Sequence, residues 1–596
     1  MKGRIFLFLT FLFFCQGWAV DSIHPVHGMA MHGGLLYPKN FKHYSFVNPR
    51  APKGGRIVLG KVGTFDSLNS YVLKGVTATK LPLSRATLVG RSPEEPWAEY
   101  CVVAESLEMP EDRSWIIFNL RPEARWHNGK PIRAEDVVFS FYTWLKDGQP
   151  FMKTFYNKVE KVEKLKKGRV KFTFKKMDIV DRELPLIMGI MPLIPKDVYE
   201  GKDLSKITAE PLVTNGPYRI KKVDFGRSIT YERVQNFWGS KLPTYVGRFN
   251  FDEVKVEYYR TNSVMFEAFK AGKIDLMEEE NPQAWFADYN FPNSKGILKE
   301  EVVHNRPVGM GSFVFNTRRE IFKDKRVRMA LSLIFNFEKL NASLYHGAYS
   351  RTNGFFDNTE LEPKGRPKGA ELKILNGFKS KLDPSVFGVA YKAPFNGTPE
   401  AVRHNLQMAQ KLLKEAGWVF QDGSLVDKGT KRPFAFEILL DSTEHEKSAL
   451  AFARNCSALG ILATVRFADG AQYERRKVDF DYDMIHVFWA GTRSPGNELW
   501  NYVSTKAAST NGSRNYPGIV DPVIDEIIKN IVTSRERATL VANTKVLDRI
   551  LMAGNYVVPL YHLKKDMIAY WKGFQHPRLT PNIESRIESW WHTNPL

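Results

Sequence analysis

Cysteine is scarce in this chain, three in 596 residues. Besides Cys15 there are only Cys101 and Cys456, with no CxxC and no Cys/His cluster at zinc spacing. A disulfide-dense scaffold and a structural zinc centre are thereby excluded, while pairing of Cys101 with Cys456 stays open. Long apolar runs are missing too: past the first nineteen residues no stretch of about 18 apolar residues occurs, so no membrane-spanning helix is expected. There is no GxSxG elbow and no GxxxxGK[ST] loop, and His445-Glu446 lacks the second histidine of HExxH. Thirteen histidines and many carboxylates still permit a site assembled in space, so a secreted hydrolase stays among the alternatives. Acidic residues are the scarcer sign, 65 against 86 basic, a net +21. That balance fits nucleic acid, a membrane surface or an acidic ligand. The basic residues are dispersed, however, and the densest run, 161–176 (KVEKLKKGRVKFTFKK), alternates polar and apolar around Lys167-Gly168. It reads as a β-hairpin with a solvated basic face; without a recognised motif, no nucleic-acid partner is expected.

What is present begins with a targeting segment. Lys2 and Arg4 precede the apolar run 5–14, and Gly17-Trp18-Ala19 sets small residues before a cut at Val20. Residues 1–19 therefore read as a secretion signal, and bulky Phe14 before Cys15 speaks against a lipid anchor. The remaining length exceeds one core, so two or three domains are expected. The most informative stretch is 103–140. Residues 114–120 (SWIIFNL) are rich in aromatic and β-branched types and bounded by turn formers, which predicts a strand. Trp126-His127-Asn128-Gly129-Lys130-Pro131 reads as a tight turn, and Ala134-Glu135-Asp136-Val137 as a helix start with acids in its first turn.

The wording of that stretch, AES…W…F-LR…WHNG-P…AEDVVFS, resembles the peptide, dipeptide and nickel family of extracellular solute-binding proteins that serve ABC importers. Further strings recur in family order: GTFDSLN at 63–69, NGPY at 215–218, ERVQNFW at 232–238, FNT at 315–317 with F-K-D-K-R-V-R-M-A-L at 322–331, and AQKLLKEAGW at 409–418. They extend over most of the chain from about residue 55 to 575. Tyr349-Ser350-Arg351-Thr352-Asn353, FDNTE at 356–360 and FVNPRAPKGG at 46–55 narrow the resemblance to oligopeptide-binding subunits of importers for microcin C and related peptides. The resemblance implies an α/β fold, periplasmic binding protein-like type II, with two lobes, a cleft and a small inserted domain. It implies lobe I from 20–80, 206–309 and 568–596, the inserted domain from 81–205, and lobe II from 310–567. It further implies a monomer in the periplasm that captures an oligopeptide or modified peptide without a cofactor. The partner would be an inner-membrane ABC permease, with its ATPase subunits engaged indirectly. An exported basic protein that binds an envelope polymer, or a chaperone, is the alternative from another class.

Two loops resemble the family's ligand loops. One, at 67–76, brings Lys74, Gly75 and Val76 beside a peptide; the other, at 488–494, brings Trp489, Ala490, Gly491, Thr492 and Arg493. In oligopeptide binders the second loop carries an Asp that clamps the peptide's α-ammonium, and here Thr492 stands in that place. Lys74 likewise stands where a relative has an acid. Without a carboxylate partner a buried ammonium is costly, so ligands with a blocked or acidic end are expected. Arg351 and Arg493 are candidates for pairing with an anion, because guanidinium holds carboxylate or phosphate bidentately. Trp489 and Trp500 are candidate pocket walls, and Phe65 and Asn353 complete the expected ligand set.

Overall fold

The computed structural model describes residues 23–71, 75–177, 179–206, 209–578 and 587–594. The expected signal segment and Lys74 lie outside the described residues. Two mixed sheets organise the molecule. A seven-stranded sheet runs in the order Ile297–Val303, Lys565–Trp571, Leu276–Glu279, Arg56–Val62, Glu253–Tyr259, Ser228–Arg233 and Tyr218–Asp224. Its centre is parallel, with Val254 opposite Ile57 and Val256 opposite Leu59. Ile57, Val58 and Leu59 are buried in succession, so strand Arg56–Val62 is covered on both faces, whereas Glu253–Tyr259 alternates buried Val254 and Val256 with half-buried Lys255 and Glu257. Helix Asn262–Lys270 connects two of them; the Thr261 hydroxyl caps it by accepting from Val264 N, and Gly272 at φ +68 follows its end.

The second sheet runs Leu462–Phe467, Ala435–Leu440, Met484–Trp489, Met310–Phe315 and Val557–Pro559. Helix Lys325–Leu333 begins at Asp324, whose carboxylate accepts from Arg326 N, and it buries Val327, Ala330 and Leu331. A smaller four-stranded antiparallel sheet joins Ala104–Glu108, Trp115–Leu120, Arg169–Phe174 and Val159–Leu165. Lys167 and Gly168, at φ +58 and +68, form the turn that ties the last two into a hairpin. Helix Ala134–Asp147 opens with the Asp136 carboxylate accepting from Arg133 N.

One stretch departs from the sequence reading. Residues 20–80 are expected in lobe I, yet Gly28–Ala30 is a strand paired with Ala98–Cys101, within the segment expected as the inserted domain. Met29 and Met31 enter the buried cluster of Val89, Cys101, Leu107 and Phe118, so burial of apolar surface decides the pairing. That same cluster continues into helices Pro522–Val532 and Arg537–Ala553. Cys101 and Cys456 are both free thiols, each buried in a different core.

Among the described residues two connections pass between the large sheets, residues 304–309 and, after the short strand Tyr561–His562, residues 563–564. They run side by side, with His304 N donating to Lys564 O at 3.0 Å. Gly216, in the NGPY string, is held against the start of the small domain by its N–H to Ser84 O. A Cβ there would stand 2.3 Å from Arg85 N and 2.4 Å from the Ser84 carbonyl carbon. Gly216→Ala is therefore expected to cost about 1–3 kcal/mol of stability, read as a lowered urea midpoint at unchanged slope.

Candidate functional site

A cavity of 1410 Å³ takes its walls from the seven-stranded sheet and its helices on one side and from helices and loops of the second lobe on the other. On one side are the carboxyl ends of strands Arg56–Val62 and Leu276–Glu279, with the exposed face of helix Asn262–Lys270. That placement follows a general rule for α/β sheets, in which ligands sit beyond the carboxyl ends of strands. On the other side are Tyr345, Tyr349, Tyr561 and the loop Ser442–His445. Six carboxylates line it (Glu267, Glu278, Glu279, Glu280, Asp288, Glu444) against four amines (Lys61, Lys80, Lys270, Lys447). Glu279 accepts from Asn281 N and from the Tyr289 hydroxyl, and burial raises its carboxyl above the usual range.

The three tyrosines form one aromatic wall. Tyr349 and Tyr561 have ring centroids 4.7 Å apart, Tyr345 and Tyr349 4.9 Å, and the Tyr561 hydroxyl donates to that of Tyr345 at 3.1 Å. Phe337 stacks behind Tyr561 at 5.7 Å. Beside them His445 lies over His486 with centroids 3.7 Å apart. Burial lowers the pKa of both, that of His486 to about 3, where charge on His445 acts in the same direction. Among the described residues no three His, Cys, Asp or Glu side chains converge to hold a metal ion.

The residues expected to hold the ligand are dispersed. Phe65 is 1% exposed and packs against Tyr258 at 4.7 Å, a core position rather than a pocket wall. Trp489, 3% exposed, donates its indole N–H to Arg514 O and packs on Tyr516 and Phe355, again inside a core. Trp500 is partly buried against the cluster that runs into helices Pro522–Val532 and Arg537–Ala553. Asn353 directs its amide to Arg351 O and accepts from Ala393 N, which fixes its own loop. Gly75 (φ +86) and Val76 (55% exposed) form a turn in which Val76 N donates to the Asp66 carboxylate. Ala490 is exposed, and Gly491 lies so close to the first connection that a Cβ would meet Pro307 at 2.6 Å. The Thr492 hydroxyl accepts from Ser494 N. Arg493 lies over Trp97 at 5.5 Å and donates to Glu94 O, so its charge is used against the small domain. None of these residues lines the cavity. Arg351 stands behind the tyrosine wall, over Phe335 at 4.5 Å.

That loop also closes a contact between the lobes. His32 Nε2 meets Ser494 Oγ at 2.9 Å, Gly33 N donates to Arg535 O at 2.8 Å, and Arg537 lies over Trp97 at 4.2 Å. Sequence reasoning passed over the tyrosines, His445 and Glu278–Glu280. A usable signal was the acidic run 278–280 at the carboxyl end of strand Leu276–Glu279.

The model for bacterial extracellular solute-binding proteins, family 5, matches residues 100–511. This chain belongs to that family. A probable peptide-binding protein YejA of Agrobacterium fabrum is 38% identical, covering 95% of this chain and 93% of its own. A peptidoglycan-binding protein YepA of the same organism is 36% identical over 95% of each. The oligopeptide-binding protein AppA of Bacillus subtilis, solved with a nonapeptide, superposes with a TM-score of 0.66 at 17% identity, covering 91% of this chain and all of that one. The fold of this family member is the type II periplasmic binding-protein fold, and its members are solute-binding proteins.

The histidine pair makes stability depend on pH. The folded-state pKa of His486 lies below the ordinary 6.5, so in this window the unfolded chain binds the proton more readily. Stability from the neutral ring is complete above 6.5 and is lost as pH falls from there toward 3. His486→Phe keeps the stacked ring and removes the titration. Thermal unfolding followed from about pH 7 to about pH 4 should fall less steeply for the variant, with the difference reaching up to a few kcal/mol.

Proposed function

We propose that this chain is the periplasmic substrate-binding subunit of an ABC importer. It captures an oligopeptide or peptide-like compound, a microcin C-like conjugate or a murein peptide, and hands it to the inner-membrane permease. It leaves the ligand intact and acts as a monomer. The observation that carries this reading is the 1410 Å³ cavity walled by both lobes. It exceeds the roughly 300–1,000 Å³ of pockets for drug-sized ligands, which leaves room for several residues of an extended chain. The names of the Agrobacterium relatives, one for peptides and one for peptidoglycan, and the nonapeptide held by AppA support the same class. Ligand-stabilised closure is the signal a permease can read, because a ligand shifts the equilibrium toward the form it binds better.

Native mass spectrometry of the chain from residue 20, purified without denaturation, should show peptide-sized adducts that are lost on unfolding. A panel of peptides should raise the melting temperature, by about 2.7 kcal/mol of stabilisation at a hundred times Kd. A panel that binds nothing would overturn the reading.

Thr492 supplies no carboxylate to clamp an α-ammonium, and Glu278 and Glu280 are exposed, where ion pairs contribute roughly 0–1 kcal/mol. Formylating the N-terminus of a bound peptide should therefore change its Kd by less than about tenfold. A loss of a hundredfold in competition calorimetry would mean that an amine clamp exists elsewhere in the cleft.

A further inference from the structure

Strand Ser350–Arg351 pairs antiparallel with Tyr561–His562, and Arg351 stands directly opposite Tyr561. Side chains alternate along a strand, and directly opposed residues share a face. Tyr349, Arg351 and Tyr561 therefore belong to one face, and Tyr349 and Tyr561 are walls of the cleft. The sequence of contacts inward from the cavity is Tyr561, then Phe337 stacked on it at 5.7 Å, then the Arg351 guanidinium 5.6 Å from the Phe337 ring and 4.5 Å from Phe335.

All three side-chain nitrogens of Arg351 are shielded from solvent, and none has a hydrogen-bond partner. The other enclosed arginines are treated differently. Arg328 donates to the carbonyls of Phe322, Lys323, Gly554 and Asn555. Arg318 donates to those of Ala508, Asn515 and Tyr516, and Arg549 to the carbonyls of Gly365 and Gly388 and the carboxylate of Glu371. An enclosed cation with five unused N–H groups carries a desolvation cost that the faces of Phe335 and Phe337 offset only in part. Burial holds its pKa down to about 10, with Tyr391 and Glu338 acting on it from a distance; the Glu338 carboxylate itself accepts from Asn396 N. Such uncompensated groups belong to sites completed by a ligand.

We propose that Arg351 is the anion-binding end of the cleft and receives a carboxylate of the bound peptide. This rests on the peptide-binding reading above. The planar guanidinium, faced by Phe335, suits a flat two-oxygen partner held by two parallel N–H···O bonds. A phosphate would bring a second negative charge toward Glu338 with one arginine to meet it, so the monoanion is favoured. Access of the ligand's acidic group to Arg351 requires side-chain rotation in the Tyr349–Tyr561–Phe337 wall, since Phe337 is buried between Tyr561 and the guanidinium.

The test uses the mature protein and matched peptides that end in a free carboxylate or in an amide, measured by calorimetry. Wild type should bind the acid form about 30-fold or more tightly than the amide. Arg351→Met should bind both forms alike, at the level of the amide, and the unliganded variant should be at least as stable to urea as wild type. Equal affinity of wild type for acid and amide would overturn the inference while leaving peptide binding intact, as would discrimination that survives in Arg351→Met. If no peptide binds, the peptide-binding reading fails, and acetate decides the Arg351 site by itself. At constant ionic strength, acetate should raise the melting temperature of wild type and not of Arg351→Met, with phosphate doing less. An equal acetate effect on both proteins would dismiss the site.

Discussion

The two side-by-side connections at 304–309 and 563–564 constrain everything else in this molecule. Beside contacts such as His32 Nε2 to Ser494 Oγ and Gly33 N to Arg535 O, which tie the lobes elsewhere, they join both lobes at one edge of the cleft. Their spacing is fixed by polar contacts rather than by core packing. Arg306 grips Asp566 with two parallel N–H···O bonds of 2.7 and 2.5 Å, a geometry that resists shear as well as separation. Asn358, at φ +64, donates its amide to the carbonyls of His304 and Arg306 at 2.9 and 3.0 Å. Asparagine is among the few residues that tolerate that backbone conformation while offering donors. Gly309 and Gly491 then let the loop after Trp489 rest on the first connection, where a Cβ on Gly309 would come within 2.5 Å of Trp489 O. A change in the angle between the lobes is thus passed to that loop by direct contact.

Much of the fold was legible because local signals agreed with one another. Turn formers bound the strand Trp115–Leu120 and Lys167-Gly168 fixes a hairpin, just as the sequence alone suggests. Helix Lys325–Leu333 carries its apolar spacing openly, and a separate turn, Glu320–Lys323, precedes it. Asp324 explains the break, since its carboxylate caps the second helix from an extended backbone. Gly28–Ala30 was missed because three residues carry no periodicity, and the pairing is decided by distant apolar partners such as Val89 and Phe118.

The site was less legible, for a reason that particular residues make plain. Trp489 and Phe65 look like pocket walls in a linear string, but their rings fill cores once Arg514 O and Tyr258 are in place. Conversely Tyr345, Tyr349 and Tyr561 are ordinary tyrosines in sequence and become a wall only because Tyr561 returns from 216 residues downstream to meet Tyr345. Aromatic residues serve cores and clefts equally well, so composition cannot separate the two uses. Arg351 was singled out for its chemistry, whereas Arg493, chosen on the same grounds, directs its charge onto Trp97 and Glu94.

The distribution of charge sharpens what the cleft can discriminate. The chain is strongly basic, +21, yet the cavity lining carries more carboxylates than amines. The positive charge of the chain as a whole is therefore not repeated at the rim of the cleft, which does not reward acidity as such. Rim carboxylates such as Glu278 and Glu280 are exposed and screened, and they add little to affinity. A guanidinium withdrawn from water gains far more from one correctly placed oxygen pair than any rim group does, because the alternative for it is no partner at all. If Arg351 receives a carboxylate as proposed, selectivity for charge is concentrated behind the tyrosine wall, while the lining of the cavity itself stays mixed in polarity.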